Sequence, residues 1–588
     1  MNGTVFTQVN YTLGGLIQKI ELGEIGLPDL QRPFVWPNAK VRDLFDSMYR
    51  GFPVGYLLFW ASGVSDVGTH RIGAPPAQKP ADLLIVDGQQ RLTSLYSVLK
   101  GVPVIREDYS SERIQIAFRP ADQKFEVLDA AIKKDIEFIP DISVLWHPKT
   151  SIFAFTNTFI AALQAHRAID SDEVDRVAAA ITGLHNLGNY PFIALELSAT
   201  ISEEQVAEVF VRINSKGATL NQADFILTLM SVYWEDGRKE LEAFCRKARL
   251  PAVAGSGSSP YNLFIRPAPD QLLRVGVGLA FRRAPLEHVY SVLRGKNMAT
   301  GEFSAKERDA QFGVLKTAQA ETLHLTNWQE FMKCLVQAGY RRESMISSAM
   351  AILYSYTMYL IGRRDFHMPF GQLRDVIARW FFMTALTSRY GNSPESEMAK
   401  DLNFLSGVTD ATGFVGLLNG IIDATLTADY WAITLPNELA TSSARSPSLF
   451  AYYAALHLLD AKVLFSQLKV TDLFDPAMHA NKSALERHHL FPKGYLKKCG
   501  VTETRDTNQI ANFALVEWSR NIEISDKDPA AYFPPLAAKW DAAEFKAMSY
   551  WHALPDGWEI MDYPDFLAVR RKLMAAIIHD GFSRLTGH

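Results

Sequence analysis

Short strand patterns alternate with helices through the first 235 residues of this 588-residue chain. From about residue 236 to 440 they give way to helical periodicity, and this switch constrains the fold more than any other feature. Within the first segment, Leu13, Leu16, Ile17 and Ile20 recur at the spacing of one helical face, with Thr12 placed to cap it. Asn38 is placed to cap a second helix, whose Val41, Leu44, Phe45 and Met48 share a face. Residues 56–60, 83–86, 113–118 and 191–197 read as strands, and 203–213 as a helix. The expected fold class is multidomain α+β and predominantly helical. An α+β domain over 1–235 is followed by a helical connecting domain over 236–441 and a C-terminal domain over 449–588. The small, polar run SSARSPS at 442–448 reads as the linker before the last.

Charge and cysteine content exclude several classes. Sixty basic against sixty-four acidic residues leave a net charge of -4, so no global positive field advertises nucleic acid and any such site must be local. The segment 237–300 is the one local excess, with eleven Lys or Arg against four acids; it can track phosphates or simply be a solvated helical face. Cys245, Cys334 and Cys499 lie too far apart for a disulfide framework or a CxxC zinc site, which predicts a reducing, cytoplasmic setting. The apolar stretch 345–362 is interrupted by serine, threonine and tyrosine, and reads as a buried core helix, not a membrane span.

The densest chemistry lies in LERHHLFPKGYLKKCGVTETRDTNQIANFALVEWSRNIEISDKDPAAYF, from Leu485. His488 and His489 are adjacent, and Asn512 and Asn521 follow. Hydrolysing a phosphodiester needs a base for water and a cation on the phosphate. His489 can be the base, with His488 and Asn521 holding the metal. Singly, a histidine pair is commonly a surface feature and such asparagines are commonly turn or cap residues. The ordered set HHxxP, AN plus a hydrophobic run, N, then SDKxPxxY, resembles the HNH, or ββα-metal, nuclease family. That resemblance implies a metal ligand at His488, a catalytic base at His489, a turn-steadying Asn512 and a second ligand at Asn521, with Lys527 near phosphate. The family's ligand is often a carboxylate; the imidazole of His488 keeps Mg²⁺ possible and makes Mn²⁺ more acceptable.

A second constellation is LLIVDGQQRLTSLYSVLKG, which reads strand, turn, helix. Asp87 and Gly88 form the turn, with Gln89, Gln90 and Arg91 at a helix N-terminus whose free N–H groups favour an anion. Arg91 adds a fork suited to phosphate, and Asp87 can hold a cation or orient water. Most such turns merely cap a helix. Gln31 and Arg32 in PDLQRPFVWP, and Arg212, Asn214 and Lys216 in VFVRINSKGATL, complete an ordered set. Together these resemble the GmrS-type DGQQR domain, which is similar to the ParB/sulfiredoxin fold. The resemblance implies nucleoside-triphosphate binding and hydrolysis, with Gln31, Arg32, Asp87, Gly88, Gln89, Gln90, Arg91, Asn214 and Lys216 around the nucleotide and Asp87 and Arg91 catalytic.

The whole layout resembles the GmrSD-type, SspE-like modification-dependent restriction enzymes. It implies an NTP-dependent or NTP-regulated, metal-dependent DNA endonuclease that cuts modified or phage DNA in anti-phage defence. A DNA-modification reader or regulatory NTPase with a degenerate nuclease, or an RNA-cleaving toxin, remains open, as does a homo-oligomeric state.

Overall fold

The computed structural model describes residues 4–28, 34–61, 69–70, 82–106, 110–199, 201, 205–206, 209, 222–252, 257–296, 304–474, 485–517 and 524–586. The chain divides into two compact units, 1–235 and 236–588.

The first unit is built on a mixed six-stranded sheet of order β1-β10-β3-β5-β2-β4. Its strands are β1 (Phe6–Thr12), β2 (Ile25–Pro28), β3 (Leu57–Ala61), β4 (Thr69–His70), β5 (Leu83–Asp87) and β10 (Pro191–Leu197). Two small hairpins, β6–β7 (Val104–Ile105, Ser111–Glu112) and β8–β9 (Ile116–Arg119, Lys124–Val127), lie between them in sequence. β10 runs parallel to β3 and antiparallel to β1, so a strand from the end of the unit sits between two from its beginning. Such non-local pairing is what ties the first 200 residues into one core.

Three helices carry the apolar faces that cover this sheet. In α1 (Leu13–Leu22) Leu13, Leu16, Ile17 and Ile20 are buried, and the Thr12 hydroxyl accepts from the Gly15 N–H. In α2 (Asn38–Tyr49) Val41, Leu44, Phe45 and Met48 are buried. Asn38 does not cap α2: Pro37 holds the cap position, and the Asn38 carboxamide bridges Glu112 and Arg106 instead. The competing partner is a guanidinium and a carboxylate from the β6–β7 hairpin, a stronger pairing than a backbone N–H. The stretch 113–118 is strand only from Ile116. α3 (Gln89–Lys100) buries Leu92, Leu95 and Leu99.

The second unit is helical but for one hairpin among its described residues. The stretch 345–362 contributes the helix Ala349–Arg364, whose residues 351–362 are all buried. No single helix among the described residues is long and apolar enough to cross a membrane. The helix Phe370–Leu386 packs against Ala349–Arg364 and also against Pro447–Leu458. The 442–448 segment is therefore not a free spacer. Pro447 opens a helix buried along most of its length, the Ser446 and Ser448 hydroxyls bond each other at 2.6 Å, and both residues are buried. Small polar residues serve here because they let two helices approach, a role composition does not distinguish from a linker.

Two histidines of this unit are buried without a carboxylate. The His457 ring lies 2.5 Å from the Gly339 carbonyl, and the His552 ring 3.0 Å from the Lys462 carbonyl. Burial pushes each down to about 4, and nearby arginines add to the effect. Both stay neutral in the folded state while the unfolded chain takes a proton below about 6.5. Unfolded protein thus binds more protons between pH 6.5 and 4, so stability falls as pH drops through that window, by roughly 3 kcal/mol per histidine at its end. Urea denaturation of the full chain at pH 7.5 and 4.5 measures this. Replacing both histidines by glutamine should flatten the dependence; an unchanged slope would locate the acid sensitivity elsewhere.

Candidate functional site

β11 (Leu485–His489) pairs antiparallel with β12 (Phe513–Glu517), with His489 opposite Phe513 and His488 opposite Ala514. Neighbours on a strand face opposite sides. His488 is buried, its ring 6.0 Å from that of Tyr532. His489, the last residue of β11, is half-buried, its ring 4.7 Å from that of Phe513. The two imidazoles therefore have different surroundings. One is enclosed, and one stands at the strand end where the chain turns.

The turn is held by Asn512. Its side chain is fully buried, accepts from the Phe491 N–H at 2.9 Å, and donates to the Phe491 and Thr507 carbonyls at 3.0 and 3.2 Å. Its own carbonyl accepts from Leu490 at 2.8 Å. An asparagine amide matches a peptide group in both donor and acceptor, so it closes the end of the hairpin as a strand would. Tyr532 adds a hydrogen bond to the Leu490 carbonyl at 2.6 Å.

Asn508 is a site residue that sequence reading passed over. Its Oδ1 lies 3.0 Å from His489 Nε2. With Nε2–H donating to that oxygen, the ring is held as the tautomer whose lone pair is on Nδ1. The signal was present as a second asparagine four residues before Asn512, yet only the fold brings it to His489. Arg570 was also unremarked. It is fully buried on the helix Tyr563–Ser583, and its guanidinium donates to the carbonyls of Ala511, Phe513 and His552.

The residues 518–523 lie outside those described, and with them Asn521. Among the described residues no group of three or more His, Cys, Asp and Glu is placed to hold a metal. The fit to a divalent cation thus rests on the donor chemistry of one enclosed imidazole, His488. Lys527 is exposed, close before Asp528, which caps the helix Pro529–Ala537.

In the first unit Asp87 ends β5 and Gly88 caps α3 with φ +94. A Cβ at Gly88 would lie 2.4 Å from Leu57 Cδ2, so both backbone and space require glycine. α3 starts with no side-chain cap and no acid in its first turn, which leaves an N-terminus favourable to an anion. The Gln90 carboxamide oxygen accepts from the Val35 N–H at 3.0 Å. Arg91 donates from Nη1 to the Val54 carbonyl and from Nη2 to the Tyr56 carbonyl, each at 2.7 Å, with Asp87 at 3.4 Å. The arginine fork is thus engaged by the backbone of the loop before β3, and burial lowers its pKa against the pull of Asp87. Gln31, Arg32, Asn214 and Lys216 lie outside the described residues.

Residues 13–231 match the family described as GmrSD restriction endonuclease, N-terminal domain. Over those residues the first unit is similar to that domain, whose description names a restriction endonuclease. The chain is also similar to the uncharacterized protein MJ0686 of Methanocaldococcus jannaschii, 22% identical over 548 residues, covering 88% of this chain and 85% of that protein. The similarity therefore extends through the helical stretch and the hairpin and is not limited to the GmrSD-type domain.

Two substitutions test these geometries. Arg91→Ala removes two charge-assisted hydrogen bonds and should destabilise the first unit by about 2–4 kcal/mol. It should also raise hydrogen–deuterium exchange in residues 52–60; unchanged exchange there would mean the fork does not hold the loop. Asn508→Ala should lower the activity that depends on His489 by roughly 10- to 100-fold, the usual worth of a partner that orients a site histidine. Asn508→Asp, which keeps an acceptor, should retain most of it. Equal rates for all three proteins would dismiss the tautomer assignment.

Proposed function

We propose that this protein is a metal-dependent DNA endonuclease of anti-phage defence, with cutting governed by a nucleoside triphosphate bound at the Asp87–Arg91 turn. The observation that carries this reading is the hairpin end at His489: a half-buried imidazole, set at a strand terminus and oriented by Asn508, on a chain whose first unit is GmrSD-type. An imidazole fixed in orientation through Nε2 at a strand end is a suitable base for water activation.

In this reading His489 takes a proton from water as the oxygen attacks phosphorus, and the bond to one ester oxygen breaks, leaving a phosphate monoester and a hydroxyl end. Asn508 holds the imidazole and stabilises it once protonated. Asn512 and Tyr532 keep the hairpin end closed, so that the base does not drift. A divalent cation held by His488 together with Asn521 would supply charge stabilisation on the phosphate. At the other site, Gly88 and the open N-terminus of α3 receive phosphate, Asp87 faces its cation or water, and Gln89, Gln90 and Arg91 set the turn. Gln31, Arg32, Asn214 and Lys216 complete the nucleotide site. Modified or phage DNA is the substrate class.

Supercoiled plasmid and phage DNA, modified and unmodified, incubated with Mg²⁺ or Mn²⁺ and with or without each NTP, test the proposal. His489→Ala should lose nicking by roughly 10²–10⁴-fold, with NTP hydrolysis retained. His488→Ala should shift the metal dependence. Full nicking by His489→Ala would sink the nuclease assignment. DNA binding and NTP turnover without any cleavage by wild type would favour the reader, and cleavage of RNA alone the toxin.

A further inference from the structure

The basic segment 237–300 is the obvious place to look for phosphate contacts, but much of its charge is already engaged. Arg238 pairs with Glu242, Arg266 with Glu343, Arg274 with Glu395 and Arg282 with Asp365. Three of those acids come from outside the segment, so its excess in sequence is smaller in the fold.

A different pair of cations has no such compensation. Arg341 and Arg342 follow the helix Leu325–Gln337 and are half-buried. Among the described residues neither pairs with a carboxylate, and their Nε atoms are buried without a hydrogen-bond partner. The loop that carries them is rigid. Tyr340 is fully buried against Phe381 and Phe382, and the Gly339 carbonyl is bound to the His457 ring. The Arg342 guanidinium sits 4.6 Å from the centre of the Phe474 ring, and the His457 ring meets the same phenyl edge-on at 5.0 Å. His457 Nε2 is buried and unbonded among the described residues.

Burial lowers the pKa of both arginines and no acid raises it, while both in turn depress that of His457. A partly desolvated cation without a carboxylate is unfavourable unless an anion joins it. We propose that Arg341 and Arg342, the second of which meets His457 at the Phe474 ring, form a binding site for a phosphate group. Two guanidinium forks present more donors than one carboxylate can accept, and suit a tetrahedral oxyanion. With Nδ1 turned to Gly339, a bound anion would also favour the doubly protonated His457 ring, making Nε2 a further donor. The arginines are reachable from solvent, as a phosphate of the DNA backbone requires. The choice of DNA as the source rests on the proposed nuclease reading; the phosphate site itself does not.

The test uses the full chain carrying Arg341→Gln and Arg342→Gln together, with a charge-matched control at the exposed Arg445 and Lys546 (both to Gln). Inorganic phosphate should raise the Tm of wild type and control but not of the double variant. Without phosphate the double variant should melt close to wild type, because it loses no ion pair and only the Arg342–Phe474 ring contact. The salt dependence of binding to a short duplex, read by anisotropy in EDTA, should lose about two units of slope if the phosphates are those of DNA. An unchanged slope with loss of phosphate protection assigns the site to a free phosphate or nucleotide. A wild type that binds no DNA but keeps the phosphate shift would retain the site and remove the DNA reading. Equal phosphate and DNA responses in variant and wild type would overturn the proposal, and Arg342→Lys gives a second measurement should the double variant misfold.

Discussion

The buried guanidinium of Arg570 is the constraint on which the C-terminal chemistry depends. It has no water to solvate it, and its donors are satisfied by the carbonyls of Ala511, Phe513 and His552. Ala511 and Phe513 flank Asn512, and Phe513 is the cross-strand partner of His489. One side chain from the last long helix therefore fixes the strand end against which the imidazole stands. Removing the charge would leave those carbonyls unsatisfied in the interior, and this is costly wherever no water can replace the donor. The same helix packs on Pro447–Leu458, which packs on Phe370–Leu386. The hairpin is thus mounted on the helical unit and shares its core.

The first unit uses arginine in the same way. Arg91 sends its fork into the carbonyls of Val54 and Tyr56, on either side of Gly55, whose φ of +90 and contact with Nη1 leave no room for a side chain. Gln90 meanwhile holds the backbone at Val35. Gln90 and Arg91 bind the chain to itself around the start of α3, where Gly88 is buried and Asp87 half-buried. Under the proposed function, a preorganised turn of this kind would need little reorganisation to receive phosphate.

Local periodicity carried much of the fold. The buried faces of α1, α2 and α3 and the strand at 191–197 follow directly from spacing, because each is decided by side chains a few residues apart. The sheet order was not legible, since β10 slots between β1 and β3 across more than a hundred residues. Asn38 misled because its partners, Arg106 and Glu112, are 68 and 74 residues away. At the hairpin, the adjacent histidines and Asn512 stood out by motif, whereas Asn508 and Arg570 carry no pattern and acquire a role only when the turn closes. The 442–448 run failed as a linker for a related reason. Its composition is that of a loop, but Thr441 accepts from the Ile510 N–H at 2.8 Å and Ser448 is buried, so the run joins the helical core to the hairpin.

The electrostatics of the second unit follow one rule with two outcomes. Several of its arginines meet carboxylates, as Arg389 meets the fully buried Asp401, with Tyr390 adding a 2.6 Å hydrogen bond to the same carboxylate. Others, like Arg570, are absorbed by backbone carbonyls. In a chain with net charge -4, arginines committed in these ways contribute little to attracting a polyanion. Affinity for phosphate must then come from cations left uncompensated at defined places. Arg341 and Arg342 meet that condition because the loop bearing them is pinned by Tyr340 and by the Gly339–His457 contact, and no carboxylate among the described residues pairs with either. A few fixed cations, in place of a broad basic surface, would make binding depend on where the backbone phosphates fall. The nuclease proposed above, which must leave most DNA uncut, would have use for that dependence.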